Sequence, residues 1–233
     1  MTVSIVIPAY NEAKIIKNNL EAINHFMQKN YYDYEIIVVD DGSTDGTSFV
    51  AAGVEKVKVI ATPTNKGKGN AVKQGVKVAE GDYIIFTDAD LAYDPEYFKP
   101  ILESLELGMD VVIGSRYTKQ APCKYQSFLR RMMSESFIWL ANKILDLRVS
   151  DVQCGIKGFK NSIAKILFAR QTIDGFGFDV ELISNATRSG YIICEVPVFM
   201  KPSTATKVNV INDTFKMFIN IITIRRNQHA KKH

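Results

Sequence analysis

Gly81-Asp82-Tyr83-Ile84-Ile85-Phe86-Thr87-Asp88-Ala89-Asp90-Leu91 is the stretch around which the rest of the chain is arranged. Tyr83 to Phe86 is a short, nearly all-apolar run, and it stops abruptly at Asp88-Ala89-Asp90. A run of that length suits a strand buried on both faces of a parallel sheet. Side chains two apart on a strand point the same way. Asp88 and Asp90 are therefore expected to present two carboxylates at the strand's carboxyl end, where open α/β sheets bind ligands. Neighbouring carboxylates repel each other, and a cation relieves the repulsion. Oxygen-only ligands favour Mg²⁺ or Mn²⁺, shared with substrate phosphates. The competing reading is a solvated turn, or an N-cap ahead of Pro95. Asp-x-Asp in isolation favours that reading; at the end of a buried strand the metal reading prevails.

Working outward, the flanking segments alternate between two periods. Val3 to Ile7 is strand-like and is expected to end at Pro8. Asn11 is placed to cap a helix to about Lys29, with Ile15, Ile16, Leu20, Ile23 and Phe26 at helical spacing. Glu35 to Val39 is a second buried strand, followed by the turn Asp40-Asp41-Gly42-Ser43-Thr44-Asp45-Gly46. Lys56 to Ala61 is a third strand, and Asn65 to Asn70 opens a helix through Ala79. After the carboxylate pair, Pro95 starts a helix to about Leu107, and Asp110 to Gly114 is a fifth strand. The alternation predicts an α/β fold, a mostly parallel Rossmann-like sheet flanked by helices.

The second half is greasier. Ser127 to Leu147 predicts a long helix with Leu129, Met133, Phe137, Leu140, Ile144 and Leu147 on one face. Phe128, Met132, Ile138, Trp139 and Leu145 fall off that face, so the helix needs burial all round or a second apolar partner. Ile156 to Phe159 fits a short strand, Phe178 to Ser189 a helix and Ile192 to Val198 a strand. Asp213 to Ile224 predicts a last helix with Phe215, Phe218, Ile219 and Ile222 on one face; Arg225, Arg226, Lys231 and Lys232 follow with no acid among them.

At 233 residues and 46% hydrophobic, the chain has the material for one large domain, or one domain with an appendage. The net charge of +4 gives no reason to expect nucleic acid, and it is compatible with anionic ligands or an anionic membrane surface. Cys123, Cys154 and Cys194 form no CxxC, which argues against a disulfide framework or zinc site and fits a reducing interior. The first residues read as a strand rather than a signal peptide, and no apolar run approaches the length of a membrane span. Gly67-Lys68-Gly69 is not a dinucleotide fingerprint, because Val72 stands where the third glycine belongs, and no P-loop is present. Two readings remain open for it: a glycine-rich βα turn, or a close approach to a nucleotide with Lys68 nearby.

Several segments then speak together. Val6-Ile7-Pro8-Ala9-Tyr10-Asn11-Glu12, Val38 to Asp45, Gly67-Lys68-Gly69 and Asp88-Ala89-Asp90-Leu91 resemble, in order and spacing, the nucleotide-sugar-binding half of family 2 glycosyltransferases of the GT-A fold. Gly114-Ser115-Arg116, Asp151-Val152-Gln153-Cys154-Gly155-Ile156-Lys157, Phe178-Asp179-Val180-Glu181-Leu182 and Glu195-Val196-Pro197-Val198 look like the polyprenyl-phosphate branch, and within it the dolichyl-phosphate β-glucosyltransferase type. The resemblance covers nearly the whole chain, and the DxQCGxK segment is its most specific part.

The resemblance implies one GT-A domain over 1–233, with a nucleotide-sugar half (1–116) and an acceptor half (117–233) ending in an amphipathic helix. It implies inverting transfer of a sugar, glucose or N-acetylglucosamine, from a UDP-sugar to a dolichyl or polyprenyl phosphate, with Mg²⁺ or Mn²⁺. Pro8, Tyr10, Glu12, Asp40 and Asp41 would hold base and ribose, with Lys68 and Ala89 near the nucleotide. Asp88 would stand near ribose or metal, and Asp90 would ligate the metal. Arg116 would face a phosphate, and Asp151 would stand by the acceptor. Asp179 would share the acceptor pocket, and Lys207 with Arg130 or Arg131 would meet the acceptor phosphate. Ala92 stands where mannose-transferring relatives often carry a glutamine ligand, which weakens a GDP-mannose reading.

Each residue also has a plainer reading. Asp41 could cap the next helix, Arg116 could pair with a carboxylate, Asp151 could cap a turn, Asp179 and Glu181 could be a solvated first helical turn, and Lys207 a solvated loop lysine. A polyprenyl acceptor stays in the bilayer, so a peripheral position on the cytoplasmic leaflet is expected, by the greasy helices directly or through an integral partner or a second copy. The rival functions are a family 2 transferase acting on a hydroxyl acceptor, which would need a carboxylate base, and a nucleotide-sugar-binding accessory subunit without catalysis.

Overall fold

In the computed structural model the described residues are 1–30, 33–118, 128–201 and 210–230; side chains are described for these except at 128–131, 210–217 and 229–230. Among them, strands β1 (Thr2–Ala9), β2 (Asp33–Asp40), β3 (Val57–Ala61), β4 (Tyr83–Thr87), β5 (Val111–Ser115), β6 (Ile156–Lys160) and β7 (Ile193–Pro197) form one sheet in the order β3-β2-β1-β4-β6-β5-β7. β6 runs antiparallel to both its neighbours, β4 and β5; the other pairings are parallel.

The sheet is central because its strands are apolar on both faces. Val6, Ile37, Val39, Ile84, Phe86, Val111, Ile113 and Phe159 face one core, while Val3, Ile5, Ile7, Ile36, Val38, Ile85, Val112 and Ile156 face the other. Helices α1 (Ile16–Lys29), α2 (Thr47–Ala52) and α4 (Phe98–Glu106) cover the second face. The first face is covered by α3 (Lys68–Val78), α5 (Phe128–Leu145), α6 (Asn161–Ala169), α7 (Phe178–Arg188) and α8 (Val210–Ala230). Each fully buried large side chain contributes roughly 1.5–3 kcal/mol, and both faces carry many.

Several expectations need correction. β1 runs through Pro8 to Ala9 instead of stopping before it. Proline has no N–H to give, but β4 pairs with β1 only as far as Val6, so one side of the strand is open where Pro8 sits. Asn11 does not cap α1, which begins only at Ile16. Asn11 instead takes a left-handed conformation (φ 54°), donates its N–H to Ser43 Oγ (2.8 Å) and accepts from the Thr44 N–H (2.9 Å), tying the loop after β1 to the loop after β2.

The greasy helices differ in part. In α5 the buried residues among those described are Phe137, Ile138, Ala141 and Leu145, and Leu140 and Ile144 pack against the same core, so the expected face is buried and Ile138 and Leu145 join it, while Met132 and Trp139 are exposed. In α8, Ile221, Ile224 and Gln228 are buried; of the expected face Phe218 packs on the core while Ile219 and Ile222 are exposed, and the side chains of Asp213 and Phe215 lie outside the described residues. The two helices pack on each other, with the Phe137 and Phe218 rings edge to face at 5.7 Å.

Candidate active site

Strand order reverses between β1 and β4: β2 and β3 lie to one side, while β4 begins the other. Such a reversal opens a crevice at the carboxyl ends of the strands. Tyr10 to Glu12 leave β1 there, Asp40 and Asp41 end β2, Asp88 to Asp90 follow β4, and Arg116 follows β5. β6, being antiparallel, starts at this same edge, with Ile156 opposite Thr87. That start brings Asp151 to Gly155 to the site.

β4 ends at Thr87, so Asp88 and Asp90 do not share a strand as the alternation argument assumed. They lie in the turn beyond it, closed by the Leu91 N–H on the Asp88 carbonyl (3.1 Å), with Leu91 at φ 44°. The two carboxylates still act on each other. Partial burial, then the Asp88 charge, raises the Asp90 carboxyl above its usual range, against the Ala92 N–H (3.1 Å) and Lys68. Lys68 Nζ lies 2.5 Å from Asp88 Oδ1. Burial works against the Lys68 charge, but Asp88, then Asp179, more than offset it, and its pKa is raised.

Asp41 does not cap α2. Its oxygens accept from the Lys66 N–H (2.9 Å) and the Gly67 N–H (2.7 Å), so it fixes the loop that leads to Lys68. Asp40 accepts from the Ser43 N–H (2.9 Å) and the Ser48 hydroxyl and braces its own turn. The glycines around Lys68 now have a packing reason. A Cβ on Gly67 (φ 108°) would lie 2.5 Å from the Asp174 carbonyl oxygen, and one on Gly69 would lie 2.7 Å from Phe178 Cβ. The loop is thus pressed against residues 173–178, a contact more than a hundred positions away in sequence. Packing thus accounts for these two glycines.

Arg116 and Asp151 find each other. Nε donates to Oδ2 at 2.7 Å and Nη2 to Oδ1 at 3.0 Å, with the Arg116 backbone N–H also on Oδ2 (3.2 Å). Asp151 is fully buried. Burial opposes the Arg116 charge, and Asp151 overcomes it, so the guanidinium is held well above its ordinary pKa. Glu195, which carried no expected role, accepts from the Ser150 N–H (2.9 Å) and the Asp151 N–H (3.3 Å) and so positions Asp151 from behind.

Asp179 and Glu181 are not a solvated helical turn; both are buried. Glu181 accepts from the Thr172 and Ile173 N–H groups and pins the 172–174 segment. Asp179 Oδ1 accepts from Lys157 Nζ at 2.5 Å, and that ammonium, with no exposed surface, also donates to the Cys154 carbonyl (2.7 Å). Burial raises the Asp179 carboxyl, and Lys157 and then Lys68 pull it back. Sequence reading passed over Lys157 although it closes the DxQCGxK segment; an apolar-flanked lysine facing an acid at the start of α7 was the available signal. Tyr10 is exposed; Pro8, Glu12 and Ala89 stand at the same edge. Arg130 and Arg131 lie in α5 with undescribed side chains, and Lys207 and Cys123 lie outside the described residues.

The donor set fits a hard divalent cation. Its atoms are carboxylate oxygens, and the raised Asp90 carboxyl beside Asp88 marks a like-charge crowding that a cation would relieve. Among the described residues no three His, Cys, Asp or Glu side chains form a metal cage. Two carboxylates with the remaining positions left to substrate phosphates and water is the usual Mg²⁺ arrangement.

A reversed-order α/β sheet with acidic residues after β1, β2 and β4 defines a GT-A glycosyltransferase fold. The chain belongs to glycosyl transferase family 2, whose family model matches residues 4–168. It is 31% identical to a dolichyl-phosphate beta-glucosyltransferase of Dictyostelium discoideum over 95% of this chain and 73% of that protein. It is 35% identical to a protein of the same name from Mus musculus, over 84% of this chain and 66% of the relative. The chain thus spans 66% to 73% of these relatives' length. Among solved structures, glucosyl-3-phosphoglycerate synthase of Mycobacterium tuberculosis in complex with Mn²⁺, UDP and glucosyl-3-phosphoglycerate superposes with a TM-score of 0.73 at 21% identity, covering 96% of this chain and 79% of that one.

Proposed function

We propose that the chain transfers glucose from UDP-glucose to a dolichyl or polyprenyl phosphate, with inversion at the anomeric carbon. The observation that carries this reading is the 31% identity, over 95% of the chain, to a protein named for that activity. The name favours glucose over N-acetylglucosamine, which the residues alone left open. Residues 1–116 hold the donor and 117–233 the acceptor in this reading, with Pro8, Tyr10, Glu12, Asp40, Asp41 and Ala89 around base and ribose.

In the reaction the bond from the anomeric carbon to the UDP oxygen breaks, and UDP leaves with the electron pair. An oxygen of the lipid phosphate forms the new bond from the opposite face. Asp88 and Asp90 would hold a divalent cation, which would supply Lewis-acid stabilisation of the leaving diphosphate; the mycobacterial neighbour was solved with Mn²⁺ and UDP. Lys68 adds a fixed positive charge beside that diphosphate. The lipid phosphate is already an anion near neutral pH, so positioning outweighs base strength. Asp151, held by Arg116 and by Glu195 through its backbone, orients the acceptor side of the pocket. Arg130, Arg131 and Lys207 remain the proposed cations for the acceptor phosphate.

The acceptor tail brings the site to a membrane. Among the described residues no helix is long and apolar enough to cross one. The exposed Met132 and Trp139 of α5 and the exposed Ile219 and Ile222 of α8, with Arg225 and Arg226 following, supply an apolar and basic surface for a peripheral position on the cytoplasmic leaflet. The test is transfer of radiolabelled glucose from UDP-glucose to dolichyl phosphate with Mn²⁺ or Mg²⁺. Calorimetric titration with UDP and GDP runs alongside. Tighter binding of GDP than of UDP, or transfer to a sugar hydroxyl but to no lipid phosphate, would overturn it.

A further inference from the structure

A buried charged pair lies behind the donor site rather than in it. Lys157 has no exposed surface and Asp179 is 4% exposed, and their charged atoms meet at 2.5 Å. Such a pair is a weak source of stability, because desolvating both charges offsets their attraction. A hydrophobic pair of similar volume would fold as well, so the charges call for a reason beyond packing.

The surroundings give one. Asp179 opens α7 and Lys68 opens α3, and the two helix starts are pressed together: Gly69 abuts Phe178, and the Asn70 N–H donates to the Asp174 carbonyl (3.1 Å). Lys68 in turn grips Asp88 at 2.5 Å. The abutting helix starts thus place the Lys157–Asp179 pair and the Lys68–Asp88 pair on the two sides of one contact. The residue just before β6 meets the second pair as well, since a Cβ on Gly155 would overlap the Asp88 carboxylate. Gly155 thus touches Asp88 directly, while Lys157, two residues on, holds Asp179.

We infer that Lys157 and Asp179 are positioning residues for the donor site, acting through Lys68 to hold Asp88 where the diphosphate and its metal bind. Neither touches the substrate. The Asp179 charge attracts the Lys68 ammonium across the contact of the two helix starts, and Lys157 allows Asp179 to stay charged there without drawing Lys68 away from Asp88. The inference rests on the donor-site reading of Lys68, Asp88 and Asp90.

The test is calorimetric titration of the full chain with UDP and Mn²⁺, well below the lowest Tm of the set, together with Tm. Asp179→Asn strands a buried ammonium and should lower both Tm and UDP affinity. Lys157→Met/Asp179→Asn is neutral at both positions and should recover Tm. It should still bind UDP about tenfold more weakly or worse, the scale for losing a residue that orients a metal ligand. In a Lys68→Met background the same pair of changes should cost no further affinity, because the three residues act as one unit.

Wild-type affinity in the double variant, or losses that add fully to that of Lys68→Met, would overturn the inference. Asp90→Ala separates the two levels. If it too binds UDP with Mn²⁺ like wild type, the donor-site reading falls and this inference with it. If it loses binding while the double variant does not, the positioning role alone is refuted.

Discussion

Asp90 and Cys154 show how burial acts at single residues. Asp90 has the raised carboxyl and the open position of a cation ligand. Asp90→Ala should leave the Tm unchanged and cut turnover at least about a hundredfold, the scale for losing one stabiliser of transition-state charge. Full activity of the variant, or of wild type in excess EDTA, would contradict the metal role. Cys154 is buried at the junction of Arg116, Asp151 and Tyr93, and burial, then the Asp151 charge, pushes its thiol up to about 11. The unfolded thiol ionises at roughly 8.5. Between these values the folded state holds a proton that the unfolded state has lost, so stability is full below the lower value and falls as pH rises toward the upper one. Cys154→Ala should flatten that decline in denaturant titrations across the window. An equal slope in both proteins would show that the thiol ionises over the same pH range folded and unfolded, and would contradict the raised value.

At the scale of elements, the amphipathic pattern was legible in α5, whose expected face packs on the core together with Ile138 and Leu145, and only in part in α8, where Phe218 packs and Ile219 and Ile222 are exposed. Both carry apolar residues on more than one side, so periodicity alone leaves the buried face undecided. The choice came from the partners: Phe137 meets Phe218 of α8, while Ile138 and Leu145 join the core beneath the sheet. Ile138→Ser and Leu145→Ser should each lower the Tm by several degrees, since each removes a burial of roughly 1.5–3 kcal/mol. Trp139→Ser, at an exposed position where the ring lies under the Lys143 ammonium (4.8 Å), should leave Tm nearly unchanged and reduce transfer to a long polyprenyl phosphate more than to a short soluble analogue. Equal loss on both acceptors would argue against lipid contact. The sequence also carries a signal for α6, in Asn161-Ser162 followed by Ile163, Ile166 and Leu167 at helical spacing, but it follows β6 with no residue between them, so the period changes without a gap.

For the whole molecule, the basic run after Ile224 and the exposed apolar residues of α5 and α8 set the expected relation to a membrane. Arg225 and Arg226 are both exposed. Changing both to Glu should weaken sedimentation with anionic liposomes, at about 1 kcal/mol per basic residue near the surface, and leave UDP affinity untouched. Wild-type protein that stays in the supernatant at low salt, with acceptor lipid present, would refute direct contact and leave delivery of the lipid to an integral partner.

The sequence alone determined the layered α/β architecture and the edge at which the site lies. Continuous apolar strands can be satisfied only by helices on both faces, and Asp40-Asp41, Asp88-Ala89-Asp90 and Arg116 each stand just past such a strand. Those are local properties, written in a few consecutive residues. Tertiary structure decided which charges neutralise one another. Arg116 and Asp151 are 35 positions apart, Lys157 and Asp179 are 22 apart, and the Gly67–Gly69 turn that carries Lys68 meets residues 173–178 only through the fold. No periodicity records such pairings, because a buried charge is satisfied by whatever partner the fold delivers within hydrogen-bond reach. That partner is fixed only when strand order and helix packing are.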